Sequence, residues 1–123
     1  MKRSQAPLFT RGMDVCVWMF RQFQQDTITA PGVSRLNDCL LDFYEEVGVA
    51  LEFRHGRVAR LHSMDMLLRR AKSLCLLLRE TGVLSLRQCD FLWGELEDMG
   101  RMVGGWIKKE LAYSKSQEME PCM

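Results

Sequence analysis

The hydrophobic positions along the chain follow the period of an α-helix in four separate stretches. Apolar residues recur there every three or four positions, and strand-like alternation never persists beyond a few residues. The predicted helices run from Thr10 to Gln25, from Ser34 to Phe53, from Val58 to Glu80, and from Ser85 to near Tyr113. The pattern therefore predicts an all-α protein.

Each predicted helix has one apolar stripe that a core would bury. The stripe of the first helix consists of Met13, Cys16, Val17, Phe20 and Phe23. The stripe of the second consists of Leu36, Leu40, Phe43, Val47 and Leu51. The stripe of the third consists of Leu61, Met64, Leu68, Ala71, Cys75 and Leu78, and the fourth continues through Cys89, Leu92, Trp93, Leu96, Val103 and Ile107.

The links between the predicted helices are short. Pro31-Gly32 is expected to stop helix propagation in the first link, and Arg54–Arg57 leaves room only for a tight turn between the second and third helices. Helices joined by short links are usually antiparallel neighbours. We therefore expect an up-down-up-down four-helix bundle over residues 1–113, followed by a polar and disordered tail at 114–123.

Capping residues mark the last link. Gly82 is placed to adopt the left-handed conformation after the third helix. Ser85 with Gln88 three residues later is the pattern of a capping box at the start of the fourth helix, with Leu84 and Cys89 as its hydrophobic staple. These signals predict a sharp turn between the third and fourth helices.

Some apolar residues of the third and fourth predicted helices lie outside the buried stripes. They are Leu76, Leu77, Phe91, Met102 and Trp106. Folded surfaces carry many single apolar residues, but a helix of a small bundle that is apolar beyond one stripe indicates a second interface. We expect these five residues to contribute to a homo-oligomer interface.

Two glycines lie four positions apart inside the fourth predicted helix, Gly100 and Gly104. A glycine within a helix costs about 1 kcal/mol relative to alanine. The close approach of a neighbouring backbone is the usual compensation. We therefore expect both glycines to permit close packing of a neighbouring helix.

The formal net charge is only +1, but the charges are unevenly distributed. Residues 37–52 carry acidic side chains and no basic ones, whereas residues 53–79 are mainly basic. The basic residues are Arg54, Arg57, Arg60, Arg69, Arg70, Lys72 and Arg79. One interpretation is that they pair with the acidic helix within or between subunits. The other is contact with an anionic partner such as nucleic-acid phosphates.

Patterns typical of enzymes and metalloproteins are missing from the sequence. It has no glycine-rich phosphate loop, nucleophile elbow or H-E-x-x-H, and the carboxylates of the second helix lack Glu-x-x-His partners. Cys16, Cys39, Cys75, Cys89 and Cys122 form no C-x-x-C pair and are typical of reduced thiols in the cytoplasm. No apolar run approaches the roughly 20 residues of a membrane span, and no signal peptide is recognisable. We expect a cytoplasmic, non-enzymatic protein with no catalytic residue, metal, cofactor or membrane contact.

The C-terminal half of the chain resembles a known family over residues 60–110. The run G-R-M-V-G-G-W-I at 100–107 is similar to the G-R-[apolar]-[apolar]-G-[small]-W-I helix of the accessory variability determinant proteins, and the leucine-rich segment 66–88 precedes it in the same register. These bacterial and phage four-helix bundles accompany the reverse transcriptase of diversity-generating retroelements.

The resemblance implies a homopentameric, barrel-like ring without enzymatic activity of its own. It also implies association with the reverse transcriptase and contact with template-repeat RNA during error-prone cDNA synthesis. In that picture the surplus apolar residues would form subunit contacts, and the basic residues would contact the polymerase or RNA. The family's proteins are strongly basic and this chain is nearly neutral, which weighs against direct RNA contact more than against the polymerase partnership. The alternative is a ribosome-associated or general protein-interaction four-helix bundle with no link to a retroelement.

Overall fold

The computed structural model describes residues 6–23 and 31–119, which form four α-helices. The helices are α1 (Ala6–Gln22), α2 (Pro31–Glu52), α3 (Arg57–Glu80) and α4 (Leu86–Met119). Within these ranges no residue belongs to a β-strand, so the predicted all-α class is confirmed. None of the helices in the same ranges is both long enough and apolar enough to cross a membrane.

Neighbouring helices of the bundle run antiparallel. Arg11 of α1 pairs with Asp98 of α4 at 3.1 Å, while Gln22 at the end of α1 accepts a hydrogen bond of 2.8 Å from Gln88 at the start of α4. Residue numbers thus rise along α1 as their partners' numbers fall along α4. Short turns join α2 to α3 and α3 to α4, and each helix packs mainly against the two beside it. This is the predicted up-down-up-down arrangement.

The apolar stripes predicted for the second and third helices are confirmed. The buried residues of α2 include Leu36, Leu40, Phe43, Val47 and Leu51. Those of α3 include Leu61, Met64, Leu68, Ala71, Cys75 and Leu78. Together with Leu92, Leu96, Met99 and Val103 of α4 they belong to one contiguous core. Because burying one leucine or phenylalanine side chain contributes about 1.5–3 kcal/mol, this core is the main source of stability.

The stripe predicted for the first helix is only partly correct. Cys16 is buried and Phe23 packs against the core, but the other three predicted residues do not face it. The buried apolar side chains of α1 are those of Leu8, Val15, Cys16 and Met19. Met13, Val17 and Phe20 lie on the exposed side instead, and Phe20 is 49% exposed. Since α1 is apolar on more than one side, the periodicity alone does not select the side that faces the core. In the observed orientation Arg11 pairs with Glu95 and Asp98 of α4.

The start of α2 also differs from the prediction, since the helix begins at Pro31 rather than Ser34. Proline is favoured at the first helical position, where its missing N–H would have no partner in any case. Gly32 lies inside the helix, and a Cβ at this position would be 2.7 Å from Cδ2 of Leu78. Gly32 therefore allows close packing of α2 against α3. The rest of the predicted link, residues 26–30, lies outside the described residues.

Two glycines in the left-handed conformation flank α3. Gly56 has a φ of 71° and precedes the helix, whereas Gly82 has a φ of 79° and follows it. The N–H groups of Val83 and Gly82 donate to the carbonyl oxygens of Leu78 and Arg79 at 2.9 and 3.1 Å, which is a Schellman motif. The conformation predicted for Gly82 is confirmed.

The predicted capping box at the start of α4 is confirmed. The N–H of Gln88 donates to Oγ of Ser85 at 3.0 Å, and the N–H of Ser85 donates to Oε1 of Gln88 at 2.9 Å. Two backbone donors that have no partner inside the helix are thus satisfied by side chains.

The end of α4 lies beyond the predicted one near Tyr113. The helix continues to Met119, so residues 114–119 are helical rather than part of a disordered tail. This segment contains lysine, glutamine, glutamate and methionine, whose helix propensities are high. Residues 120–123 of the predicted tail lie outside the described residues.

We expect Ser85→Ala to lower the free energy of unfolding by about 1 kcal/mol, because the N–H of Gln88 loses its acceptor. Ser73→Ala, at an exposed position of α3, is the matched control and should change it by less than about 0.5 kcal/mol. Urea unfolding followed by circular dichroism measures both. Equal losses in the two variants would contradict the capping role.

Candidate interaction surface

One residue of the predicted basic contact surface, Arg57, is buried, with only 4% exposed. Its Nε donates to the carbonyl oxygen of Ala50 at 2.7 Å, and its Nη1 donates to Oε1 of Glu110 at 2.6 Å. Glu110 is buried as well, and its Oε2 accepts a hydrogen bond of 2.9 Å from Nη2 of Arg54. The assignment of Arg57 to a contact with nucleic acid or a polymerase is therefore wrong.

The Arg57–Glu110 pair joins the start of α3 to the C-terminal part of α4. The guanidinium carbon of Arg57 lies 5.7 Å from the centroid of the Trp106 ring, and that of Arg54 lies 3.4 Å from the centroid of the Tyr113 ring. Removing one partner of a buried ion pair leaves an uncompensated charge and costs about 3–5 kcal/mol. The cluster therefore has a structural role, which is to hold α4 at one lengthwise position along α3.

The pKa of the Glu110 carboxyl group is lowered. Burial by itself would raise this pKa, but hydrogen bonds from Arg57 and Arg54, together with their positive charges, outweigh the effect of burial. Because the pKa in the folded state lies below the unfolded value of about 4.3, the ionised carboxylate stabilises the fold at neutral pH. That contribution is lost as the pH falls from the unfolded pKa through the lower, folded one.

Most of the other predicted contact residues form ion pairs at the surface. The pairs are Arg60–Glu46 at 3.5 Å, Arg69–Asp65 at 3.0 Å, Lys72–Glu97 at 3.0 Å and Arg79–Glu80 at 3.2 Å. Pairing between the acidic and the basic helix, one of the two interpretations of the charge pattern, is thus present at Arg60 and Glu46. Exposed pairs contribute only about 0.2–1 kcal/mol, so an incoming anion can displace the carboxylate from Arg69 or Arg79.

Arg70 is exposed and forms no ion pair with any residue in the described part of the chain. It lies at the edge of an open groove of about 680 Å³ between α2 and α3. Asp42, Glu45 and Met66 also line this groove. Among the predicted basic residues, Arg70 is therefore the one whose charge is most available to a partner.

An exposed surface that we call the outer face of α3 is formed by Met66, Arg69, Arg70, Ser73 and Leu77. Their spacing places them on the side of the helix opposite its buried stripe. Met66 is 57% exposed and Leu77 is 55% exposed. The prediction included Leu77 but missed Met66. The signal that identifies Met66 is its position about three helical turns before Leu77 on the same side.

The residues predicted for the oligomer interface fall into two groups. The exposed ones are Leu76, Leu77 and Phe91. Phe91 also contacts Trp18 of α1, with 4.9 Å between the ring centroids. Met102 is half-buried against the core, and Trp106 is buried with 3% exposed. The assignment of Trp106 to a subunit boundary is wrong, because its ring faces inward beside Arg57.

The glycines of α4 do not pack against another helix of the same chain. A Cβ at Gly100 or at Gly104 would meet no atom within 4 Å outside its local backbone, and neither residue has a positive φ. The prediction that they permit close packing inside the bundle is therefore wrong. Gly32 of α2 is the glycine that does so. Nothing within the described bundle compensates for the cost of Gly100 and Gly104 in a helix.

The outer sides of α2 and α4 carry opposite charges. On α2 the exposed acidic residues without an ion pair in the described ranges are Asp38, Asp42, Glu45 and Glu52. On the C-terminal half of α4 the exposed basic residues are Lys108, Lys109 and Lys115. Because α2 and α4 lie at diagonal corners of the bundle, the acidic and the basic side face away from each other.

Comparisons of the chain with protein-family models, with curated proteins and with solved structures find no match. In the part of the chain that the structure describes, no three His, Cys, Asp or Glu side chains are grouped as a metal site requires. The outer face of α3 is the candidate interaction surface, because it exposes two large apolar side chains beside two arginines.

We expect Glu110→Gln to lower the free energy of unfolding at pH 7 by about 3 kcal/mol, because Arg57 stays buried without its counter-charge. Asp14→Asn removes an exposed carboxylate of α1 and is the matched control, with an expected change below about 0.5 kcal/mol. Chemical unfolding of both variants measures the difference.

The same variant tests the pH dependence. The free energy of unfolding of the unmodified protein should decline as the pH falls below about 4.3, as Glu110 takes up a proton. Glu97 and Asp98 contribute to the decline in both proteins, because hydrogen bonds from Lys72 and Arg11, respectively, lower their pKa values. The decline should be shallower in Glu110→Gln. Parallel curves would show that the carboxylate of Glu110 does not stabilise the fold.

Proposed function

We propose that this protein is a non-enzymatic accessory subunit of a diversity-generating retroelement. In the cytoplasm it binds the reverse transcriptase of the element and supports mutagenic cDNA synthesis. The resemblance of residues 60–110 to the accessory variability determinant family and the four-helix architecture support the proposal. The observation that carries it is the outer face of α3, where Met66 and Leu77 are exposed beside Arg69 and Arg70.

The outer face of α3 has the chemistry of a protein-binding surface. Methionine and arginine are enriched in protein interfaces, and a few central side chains supply most of the binding free energy. Met66 and Leu77 are separated by about 16 Å along the helix axis, a span that one helix of a partner can cover. Arg69 and Arg70 lie between them and can donate charge-assisted hydrogen bonds to carboxylates of the polymerase.

RNA contact is secondary to polymerase contact in this proposal. The net charge is only +1, and Arg57 is held inside the bundle. Arg69, Arg70 and Arg79 are the residues of the predicted basic set best placed to contact a phosphate. A ring would repeat this group in every subunit, and multivalency would then strengthen a contact that is weak in one subunit.

We further propose that the chain assembles into the homopentamer that the resemblance implies. A contact between the acidic side of one subunit and the basic side of the next is heterologous, and such contacts close into a ring when the rotation between subunits fits. The open space beside Gly100 and Gly104 would let the neighbouring subunit approach α4 closely. Leu76 and Phe91 would extend this contact, whereas Leu77 belongs to the polymerase surface.

We expect the double variant Arg70→Glu with Leu77→Ser to lower the affinity for the reverse transcriptase encoded beside this gene by about 100-fold or more. Truncating a central interface residue typically costs about 2 kcal/mol, and the variant alters two. Arg87→Glu with Leu111→Ser, at exposed positions of α4, is the matched control and should leave binding unchanged. Co-purification at low salt, with and without ribonuclease, measures polymerase contact separately from RNA bridging.

Two results would overturn parts of the proposal. Unchanged binding of the α3 double variant would show that the polymerase contacts another surface. Failure of the unmodified protein to bind the polymerase at low salt would contradict the retroelement function itself and favour the ribosome-associated or general protein-interaction bundle.

We expect light scattering to give a mass five times the 14.3 kDa of one chain. Lys108→Glu with Lys115→Glu should dissociate the ring, because the basic side of α4 then repels the acidic side of α2. Adding Asp38→Lys with Glu45→Lys to the same chain should restore it. A strict monomer at all concentrations would contradict the pentamer, and a ring unaffected by charge reversal would contradict the assigned contact.

A further inference from the structure

Two buried thiols face each other between α3 and α4. Cys75 and Cys89 are fourteen positions apart in the chain, and their sulfur atoms are separated by 3.0 Å. Both side chains belong to the core, with almost no exposed surface. We propose that Cys75 and Cys89 are a site of disulfide formation that links α3 to α4 under oxidising conditions.

The positions of the two residues favour this bond. Each sulfur lies 3.8 Å from the carbonyl oxygen of the other residue, so the two cysteines are related almost symmetrically across the helix interface. A disulfide requires about 2.05 Å between its sulfur atoms, so they need to approach by about 1 Å. The other buried thiol with a described contact, Cys16, donates instead to the carbonyl oxygen of Leu40 at 3.5 Å.

The bond would enclose the turn between α3 and α4. The enclosed segment contains Gly82 with its Schellman motif and Ser85 with its capping box. A cross-link lowers the conformational entropy of the unfolded chain, and a loop of about 15 residues is long enough for this effect to stabilise the fold. The α3–α4 hairpin would therefore remain together under conditions that separate the other helices.

The chemistry needs a small-molecule disulfide such as glutathione disulfide as the oxidant. The thiolate of one cysteine attacks this disulfide and releases one glutathione thiol, and the second cysteine then displaces the other glutathione from the mixed disulfide. Two protein thiols lose two electrons and two protons, and one glutathione disulfide becomes two glutathione thiols. The protein disulfide forms as the two cysteine S–H bonds are lost.

Burial controls the rate of this reaction. It raises the pKa of the Cys75 thiol to about 12, with hydrogen bonding to Cys89 adding to the effect. Because the thiolate is the reactive species, the closed bundle reacts slowly, and exchange requires opening of the α3–α4 hairpin. The same burial protects the disulfide from reductants once it has formed. The site is thus suited to slow, persistent oxidation rather than to rapid signalling.

The test uses the full chain, unfolded in urea and refolded in a buffer of reduced and oxidised glutathione. Free thiols are then alkylated, and peptide masses identify the linked pairs. We expect a peptide pair joined through Cys75 and Cys89, 2 Da lighter than the sum of the two reduced peptides. The oxidised protein should also unfold at a temperature about 5–10 °C higher than the reduced protein.

Single variants provide the controls. Cys75→Ala and Cys89→Ala should each abolish the link and the rise in unfolding temperature, whereas Cys39→Ala should retain both. The peptide map of the unmodified chain decides the proposal even if a variant does not fold. Complete alkylation of both Cys75 and Cys89 after refolding would overturn it, as would a link that lowers the unfolding temperature. The proposal is independent of the proposed function, because neither outcome involves the polymerase.

Discussion

Burial of one apolar stripe from each helix in a single core is the constraint on which the rest of the structure depends. A bundle of this size covers only one side of each helix, so every apolar residue outside the stripes has to lie at the surface. α1 buries the side that carries Leu8 and Met19, and Phe20 is therefore exposed. α3 buries its predicted stripe, and Met66 and Leu77 on the opposite side are therefore exposed. The candidate interaction surface is thus a consequence of how the core is filled.

The Arg57–Glu110 pair constrains the position of α4 along the length of α3. The apolar core constrains this position less, because its side chains are similar to one another. Buried charges require a partner with defined geometry, so the pair tolerates little sliding of α4 along α3. It also changes the meaning of the basic segment. Arg57 is structural, several neighbouring cations are paired with carboxylates, and Arg70 remains available to a partner. The number of basic residues in this segment therefore overstates the positive charge that is available to bind an anionic partner.

The helical glycines at positions 32, 100 and 104 differ in whether the bundle itself explains them. Gly32 has a structural reason within the chain, since a Cβ there would lie only 2.7 Å from Cδ2 of Leu78, which would have to shift. Gly100 and Gly104 have none, because the space beside them is open. The glycines of the motif on which the family resemblance depends are therefore not required for the interior of the bundle, whereas its Val103 and Trp106 are buried there. Its glycines agree with an assembly in which a second subunit approaches α4, which is what the proposed ring requires.

The sequence by itself determined the number of helices, the stripes of α2 and α3, the turn at Gly82 and the capping box at Ser85. Each of these features depends on residues within a few turns of one another, which periodicity and local hydrogen bonding can identify. Only the tertiary structure decided which side of α1 is buried, that Trp106 faces inward, and that Arg57 is bound to Glu110. The physical reason is that burial and ion pairing are set by side chains that the fold brings together from distant parts of the chain, and no local pattern records those partners.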